Sequence, residues 1–180
     1  MEVLKIITHN PGKENYVDNA TDYVLDGREV LALGYGINPN NADSAGMQFK
    51  QTARFWDNQD KNPLIHCMIS YSTDTAPTAE DAMRLTGEIL EPLTDDHLAL
   101  SVAHNETREG SSYHSHTLIS TTNLNDGTML YADNKSNYAL AQRAADVTGQ
   151  PVALVVMNDR NEEWECPRVF IPQTDEDDDE

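Results

Sequence analysis

Three of the six histidines, His104, His114 and His116, fall close together in the second half of the chain. His114-Ser115-His116 lies in a segment with strand character, so alternation sends both imidazoles to the same face. His104 closes the preceding apolar run from Leu98, and pairing of the two runs would bring it beside the other two. Three neutral imidazoles on one sheet face can hold a divalent cation and leave positions open for water or a phosphate oxygen. Metal-assisted phosphoryl chemistry requires such an open position. A ligating histidine usually passes its other N–H to a carboxylate or carbonyl. Asp74, Glu106 and Glu109 are all near enough in sequence, and spacing alone does not choose among them. A His-x-His pair by itself is often no more than surface chemistry, and the third histidine is what raises it above that.

Tyr16 and Tyr23 supply a second kind of chemistry. They stand seven residues apart on a predicted helix, which puts them on nearly the same face. A phenol, with an ordinary pKa of about 10, is a poor nucleophile unless its surroundings activate it. Read without the histidines, both are ordinary half-buried tyrosines.

The elements that must position these residues follow from periodicity and turn signals. Strands are expected at 2–8, 29–34, 64–71, 98–104, 114–122, 152–157 and 168–171. Helices are expected at 13–24, 42–56, 78–93 and 136–148. Thr78, with Asp81 three residues on, opens the third helix, whose buried stripe is Ala82, Leu85, Ile89 and Leu93. Ser136 is expected to cap the fourth helix and Gly149 to stop it. Asn10-Pro11-Gly12 and Asn125-Asp126-Gly127 are turn signals, and 105–113 reads as a polar connection. The resulting order, β-α-β-α-β-α-β-β-(β)-α-β, mixes hairpin connections with helical crossovers. It implies the α+β class: an antiparallel-centred sheet with helices packed on it.

Composition narrows the setting. A chain of 180 residues suits one domain, and 38% apolar residues suffice for a core. No apolar run approaches the ~18 residues of a membrane span, and the N-terminus lacks a secretion signal's apolar stretch. Two cysteines, Cys67 and Cys166, make neither a disulfide framework nor a zinc site, so a reducing, cytoplasmic location is expected. The formal net charge is −19. Residues 175–180 are all acidic, yet the other 174 still carry 25 acids against 12 bases, a net of −13. Such a composition argues against nonspecific nucleic-acid binding, which rests on Lys and Arg.

The order of these features resembles the relaxase (mobilisation nuclease) domain of conjugative and mobilisable plasmids, within the HUH class of tyrosine DNA endonucleases. The resemblance covers about residues 5–155. Tyr23-Val24-Leu25 resembles the family's first motif. Gly36-Ile37-Asn38-Pro39-Asn40, then Ala45 to Phe49, is similar to the following loop and helix. Ile65-His66-Cys67-Met68-Ile69-Ser70-Tyr71 is similar to the His-x-x-x-Ser-aromatic strand. Ala103-His104 with Tyr113-His114-Ser115-His116 resembles the metal motif, and Asn137-Tyr138-Ala139-Leu140 with Arg143 the closing helix.

The resemblance implies an HUH relaxase-like fold over residues 1–171, with 172–180 a disordered acidic tail. It implies that Tyr23 attacks a scissile phosphate, leaving a 5′-phosphotyrosine link and a free 3′-hydroxyl, with Tyr16 the alternative nucleophile. His104, His114 and His116 would hold Mg²⁺ or Mn²⁺, and Ser70 would contact DNA near the cut. The partners implied are single-stranded DNA at a transfer origin and accessory mobilisation proteins.

The chain departs from the family pattern in three ways. The His104–His114 connection is two residues longer than usual, Ser120 stands where Asn is common, and the charge has the opposite sign. A local patch can act despite the global sum, because salt confines exposed charges to about 8 Å. Lys50, Arg54 and Lys61, within a segment of net charge +1 over residues 50–61, are the expected DNA contacts. Two other readings remain: a non-catalytic relaxase-like binding module, and another metal-dependent phosphodiesterase.

Overall fold

The computed structural model describes residues 1–8, 15–106, 112–157 and 168–173. Seven strands and four helices follow in the order β1 (Glu2–Thr8), α1 (Tyr16–Val24), β2 (Glu29–Tyr35), α2 (Ala42–Phe55), β3 (Leu64–Ser70), α3 (Ala79–Thr94), β4 (Ala99–Glu106), β5 (Ser112–Ser120), α4 (Asn134–Thr148), β6 (Val152–Met157) and β7 (Arg168–Phe170). The strands form one sheet in the order β2-β4-β5-β3-β1-β6-β7. Neighbours are antiparallel except β1 and β6, which run parallel. The fold is therefore α+β with an antiparallel centre, as the element order implied.

Alternation along the strands divides the core in two. Leu4 and Ile6, Ile65, Cys67 and Ile69, Ile119, and Val152 and Leu154 share one face, where Leu85 and Ile89 of α3 and Ala141, Ala144 and Ala145 of α4 close over them. Leu64, Leu100, Val102 and Leu118 share the other face, covered by Val17 and Val24 of α1 and Ala45 and Phe49 of α2. Cys67 is a buried free thiol in the first of these layers, its pKa pushed up to about 12 by burial. Cys166 and the Asn10-Pro11-Gly12 turn lie outside the described residues, as does the acidic tail from 174 on.

Capping chemistry sets the helix starts. The Thr78 hydroxyl accepts from the Asp81 N–H at 3.1 Å, as the sequence signal indicated. The expected cap at Ser136 is corrected: the Asp133 carboxylate accepts from the Ser136 N–H at 2.8 Å, and α4 begins two residues earlier. Both types can cap, and the residue whose side chain reaches an N–H two or three positions ahead takes the role. Gly149 ends α4 at φ 66°, a left-handed conformation that glycine adopts without cost. Pro92 in the last turn of α3 has no N–H for the Glu88 carbonyl. Arg143 of α4 fills that gap, its Nε and Nη2 donating to Glu88 O at 2.9 and 2.6 Å.

Two further differences concern the middle of the chain. Asn105 pairs with Tyr113 and Glu106 with Ser112, so β4 and β5 run into the expected polar connection. Backbone ladder bonds are indifferent to side-chain polarity, which is why periodicity stopped short. Between β5 and α4 a single bridge, Thr122 to Met129, closes the turn at Asn125-Asp126-Gly127 in place of a strand.

Candidate active site

Register brings the histidines together. His104 pairs directly with His114, and Val102 with His116, across β4 and β5. On the other side of β5, Ser70 pairs with His114 and Met68 with His116. Directly paired residues share a face, and so do residues two apart. His66, Ser70, His104, His114 and His116 therefore all stand on the α1/α2 face. Along β4 that face reads Leu100, Val102, His104, and along β5 it reads Leu118, His116, His114. Apolar packing under the helices thus gives way to imidazoles toward one end of the sheet.

A β-bulge adds a carboxylate to this cluster. The β2–β4 register shifts between Glu29 and Leu31, so Glu29 pairs with His104 while Leu31 pairs with Ala103 on the opposite face. An extra residue in one strand re-aims the side chains beyond it. Without the shift, Glu29 would share the face of Leu31 and turn away from the histidines.

Each imidazole of the sequence-derived triad has one nitrogen engaged by the protein. His104 Nε2 lies 3.2 Å from the Val24 carbonyl at the end of α1. A carbonyl only accepts, so the proton sits on Nε2 and the Nδ1 lone pair faces away from that bond. His114 Nδ1 lies 2.8 Å from the Ser70 hydroxyl. His116 Nδ1 lies 3.1 Å from Nε2 of His66. The His104 and His116 rings are 4.7 Å apart between centroids, and the His66 and His116 rings 5.3 Å. His66, His104 and His116 are all buried. Burial, then the neighbouring histidines, then Arg28, hold the His116 pKa down to about 3, so the ring is neutral near pH 7.

Asp26, Glu29 and His104 form a set of three donors whose ligand atoms lie within 4.8 Å of one another. Of the carboxylates left open as partners for these rings, Glu109 and the Glu106 side chain lie outside the described residues. A backbone carbonyl, a serine and a fourth histidine are the partners seen for the three rings.

Tyr23 stands over this cluster. Its ring meets those of His116 and His66 edge-on, at centroid distances of 5.9 and 6.2 Å. The residue is 50% exposed. It borders an open groove of about 520 Å³ that Tyr16, His66, His116, Lys5 and Met157 also line. The two tyrosines thus share one groove, as their seven-residue spacing suggested, but their settings differ. Burial pushes the Tyr16 phenol well above its ordinary pKa and disfavours the phenolate. The Arg28 guanidinium lies 5.9 Å from the Tyr23 ring centroid and is held by Asp26.

The basic segment of α2 is arranged differently. Lys50 pairs with Asp18 of α1 at 2.9 Å, Lys61 donates to the Asn58 side chain at 3.1 Å, and Arg54 is exposed.

Sequence reasoning assigned no role to His66, Asp26, Arg28 or Glu29. His66 was within reach, because it alternates with Ser70 on β3 and must share its face. Glu29 depends on the bulge in β2, and Asp26 and Arg28 on the turn before it, where Asp26 holds Arg28.

A mixed sheet with helices on both faces and an open, histidine-rich patch beside a phenol is the architecture of a relaxase-type nuclease domain. Residues 16–150 match the relaxase family described as MobA/VirD2-like, nuclease domain. The match runs from the first residue of α1 to just past α4 and covers most of the chain, and the protein belongs to this family. It is a DNA-nicking endonuclease of the mobilisation class. Comparisons with curated proteins and with solved structures return no match. Among the described residues no helix is long and apolar enough to cross a membrane.

Proposed function

We propose that this domain cuts and rejoins one strand of DNA at a transfer origin through a covalent link to Tyr23, serving plasmid mobilisation. The observation that carries this reading is the half-exposed Tyr23 ring, edge-on to two buried histidines at the rim of an open groove. In the step, the Tyr23 oxygen bonds to phosphorus and the bond from phosphorus to the 3′-oxygen breaks. The phenol proton leaves to solvent, and the departing oxygen takes up a proton to become a 3′-hydroxyl. The bond exchanged is kept as a phosphotyrosine diester, so rejoining needs no added energy source.

The chemistry of the donors suits a divalent cation, though among the described residues His104 is the one histidine of the three in a group whose ligand atoms lie within 4.8 Å of one another, with Asp26 and Glu29. His104, His114 and His116 share a face, and each has its other nitrogen engaged, which is how ligating histidines are usually held. These three would hold Mg²⁺ or Mn²⁺, with Asp26 and Glu29 close enough to His104 to add the oxygen donors such hard ions prefer. A cation bound there supplies Lewis-acid polarisation of the scissile phosphate. Ser70, already bonded to His114, would also meet DNA beside the cut. Lys50, Arg54 and Lys61 would track the strand farther out. Accessory mobilisation proteins, a cytoplasmic setting, and one working unit over residues 1–171 complete the reading.

The test is incubation with Mn²⁺ and a labelled library of random-sequence single strands, followed by denaturing gels and sequencing of the captured strand. Wild-type protein should form an adduct. Tyr23→Phe should abolish it, a loss on the order of 10⁴-fold or more, because nothing replaces a missing nucleophile. An adduct lost in Tyr16→Phe and kept in Tyr23→Phe would move the nucleophile about two turns earlier on the same face of α1. Cleavage without any adduct would point to another metal-dependent phosphodiesterase. Neither product from a folded protein would leave a non-catalytic relaxase-like binding module.

A further inference from the structure

The reaction brings a phosphate anion to a phenol oxygen on a chain of net charge −19. At physiological salt only charges within about 8 Å act strongly, so a cation is needed at the oxygen itself. Lys5 lines the groove from β1. Arg28 is the cation stacked against the nucleophile, its guanidinium carbon 5.9 Å from the centre of the Tyr23 ring.

Arg28 is exposed, yet it is fixed. The Asp26 carboxylate accepts from Arg28 Nε at 2.6 Å and from the Arg28 backbone N–H at 3.0 Å. The turn is braced again by Glu29, which accepts from the Gly27 N–H at 2.8 Å. Gly27 itself sits at φ 91°, where glycine is favoured. An exposed ion pair between near neighbours adds little to stability, so stability does not explain the brace. What the brace accomplishes is positional. Asp26 occupies one edge of a five-donor planar fork, and the rest of the fork remains beside Tyr23.

We propose that Arg28 is a catalytic residue of the nicking step. Its guanidinium donates hydrogen bonds to the Tyr23 oxygen and to a non-bridging oxygen of the phosphate under attack, while Asp26 positions it. Negative charge moves from the phenol oxygen onto the phosphoryl group as the bond forms, and a fixed guanidinium spans both places without reorganising. The proton balance stays as given above, since Arg28 keeps its own protons. This inference rests on Tyr23 being the nucleophile.

Single-turnover adduct formation is measured on the strand recovered from the library, with strand affinity measured separately by fluorescence anisotropy. Arg28→Ala should slow the adduct step about 100-fold or more, the usual cost of losing one charge-stabilising donor, with little change in affinity. Millimolar guanidinium ion should restore much of the Arg28→Ala rate and none of the Tyr23→Phe rate. Arg28→Lys should remain slow, because an ammonium cannot span two oxygens in a plane. A wild-type rate in Arg28→Ala, while Tyr23→Phe is dead, would overturn the role of Arg28 and leave the relaxase reading intact. A loss confined to strand affinity and unmoved by guanidinium would reduce Arg28 to a DNA contact and also overturn it. Absence of any Tyr23 adduct in the wild type would overturn both.

Discussion

The two faces of the sheet use the same alternation to opposite ends. On the α3/α4 face two helices of 16 and 15 residues close over an apolar layer. Its polar groups bond inward: Tyr71 Oη to Thr86 Oγ1, Thr86 to Ser115 Oγ, and Ser101 Oγ to Thr117 Oγ1, all at 2.7 Å. On the α1/α2 face the helices have 9 and 14 residues and cover only part of the sheet. At the C-terminal end of α1 the strands carry His66, His104, His114 and His116 in place of aliphatics. Ser115 shows the division within one tripeptide: it is locked into the sealed face while its two histidine neighbours stand on the open one. Sealing one side rigidly is what lets the other hold polar groups at fixed spacing without a full apolar cover.

Three measurements can break or sharpen this contrast, taken from the largest effect to the smallest. Ile89→Ala removes a fully buried side chain between α3 and the sheet. It should cost about 2–5 kcal/mol in a denaturant titration, the usual range for a core truncation. The rate of adduct formation per folded molecule should be unchanged, and a large change there would mean the faces are not independent.

His66→Ala acts on the other side. It removes the partner that fixes the His116 ring, so Mn²⁺ affinity by calorimetry should fall about 10- to 100-fold, the usual cost of losing such support. Its stability cost should be smaller than that of Ile89→Ala. Unchanged metal affinity with a large stability loss would make the open face just a second core.

The smallest effect concerns pH in metal-free protein. His116 is held at about 3 in the fold against an ordinary 6.5, so below pH 6.5 the unfolded chain binds a proton that the native state refuses. Stability should therefore be full above pH 6.5 and fall as pH drops toward 3. The window between pH 6.5 and 5 lies above most carboxylate titration, and about 1.7 kcal/mol should be lost across it. His116→Gln should flatten that slope, and an unaltered slope would assign it to other groups.

The sequence alone determined much of this molecule. Strand alternation put His114 and His116 on one face, and the run ending at His104 made it the natural third member. Helical spacing put Tyr16 and Tyr23 on one side of α1, and the order of elements specified an antiparallel-centred sheet. These are local periodicities, repeating every 2 or 3.6 residues, and the chain carries them whatever its partners are.

Other features arise between segments distant in the chain, and only the tertiary structure decided them. His66 meets His116 because β3 pairs with β5, fifty residues on. Glu29 faces His104 because of a single bulge, and Arg28 reaches Tyr23 because Asp26 braces the turn between α1 and β2. Burial separates the two tyrosines, raising the Tyr16 phenol while Tyr23 stays half exposed at the groove. Register, bulges and burial are set by the packing of the whole chain, and no window along it contains them.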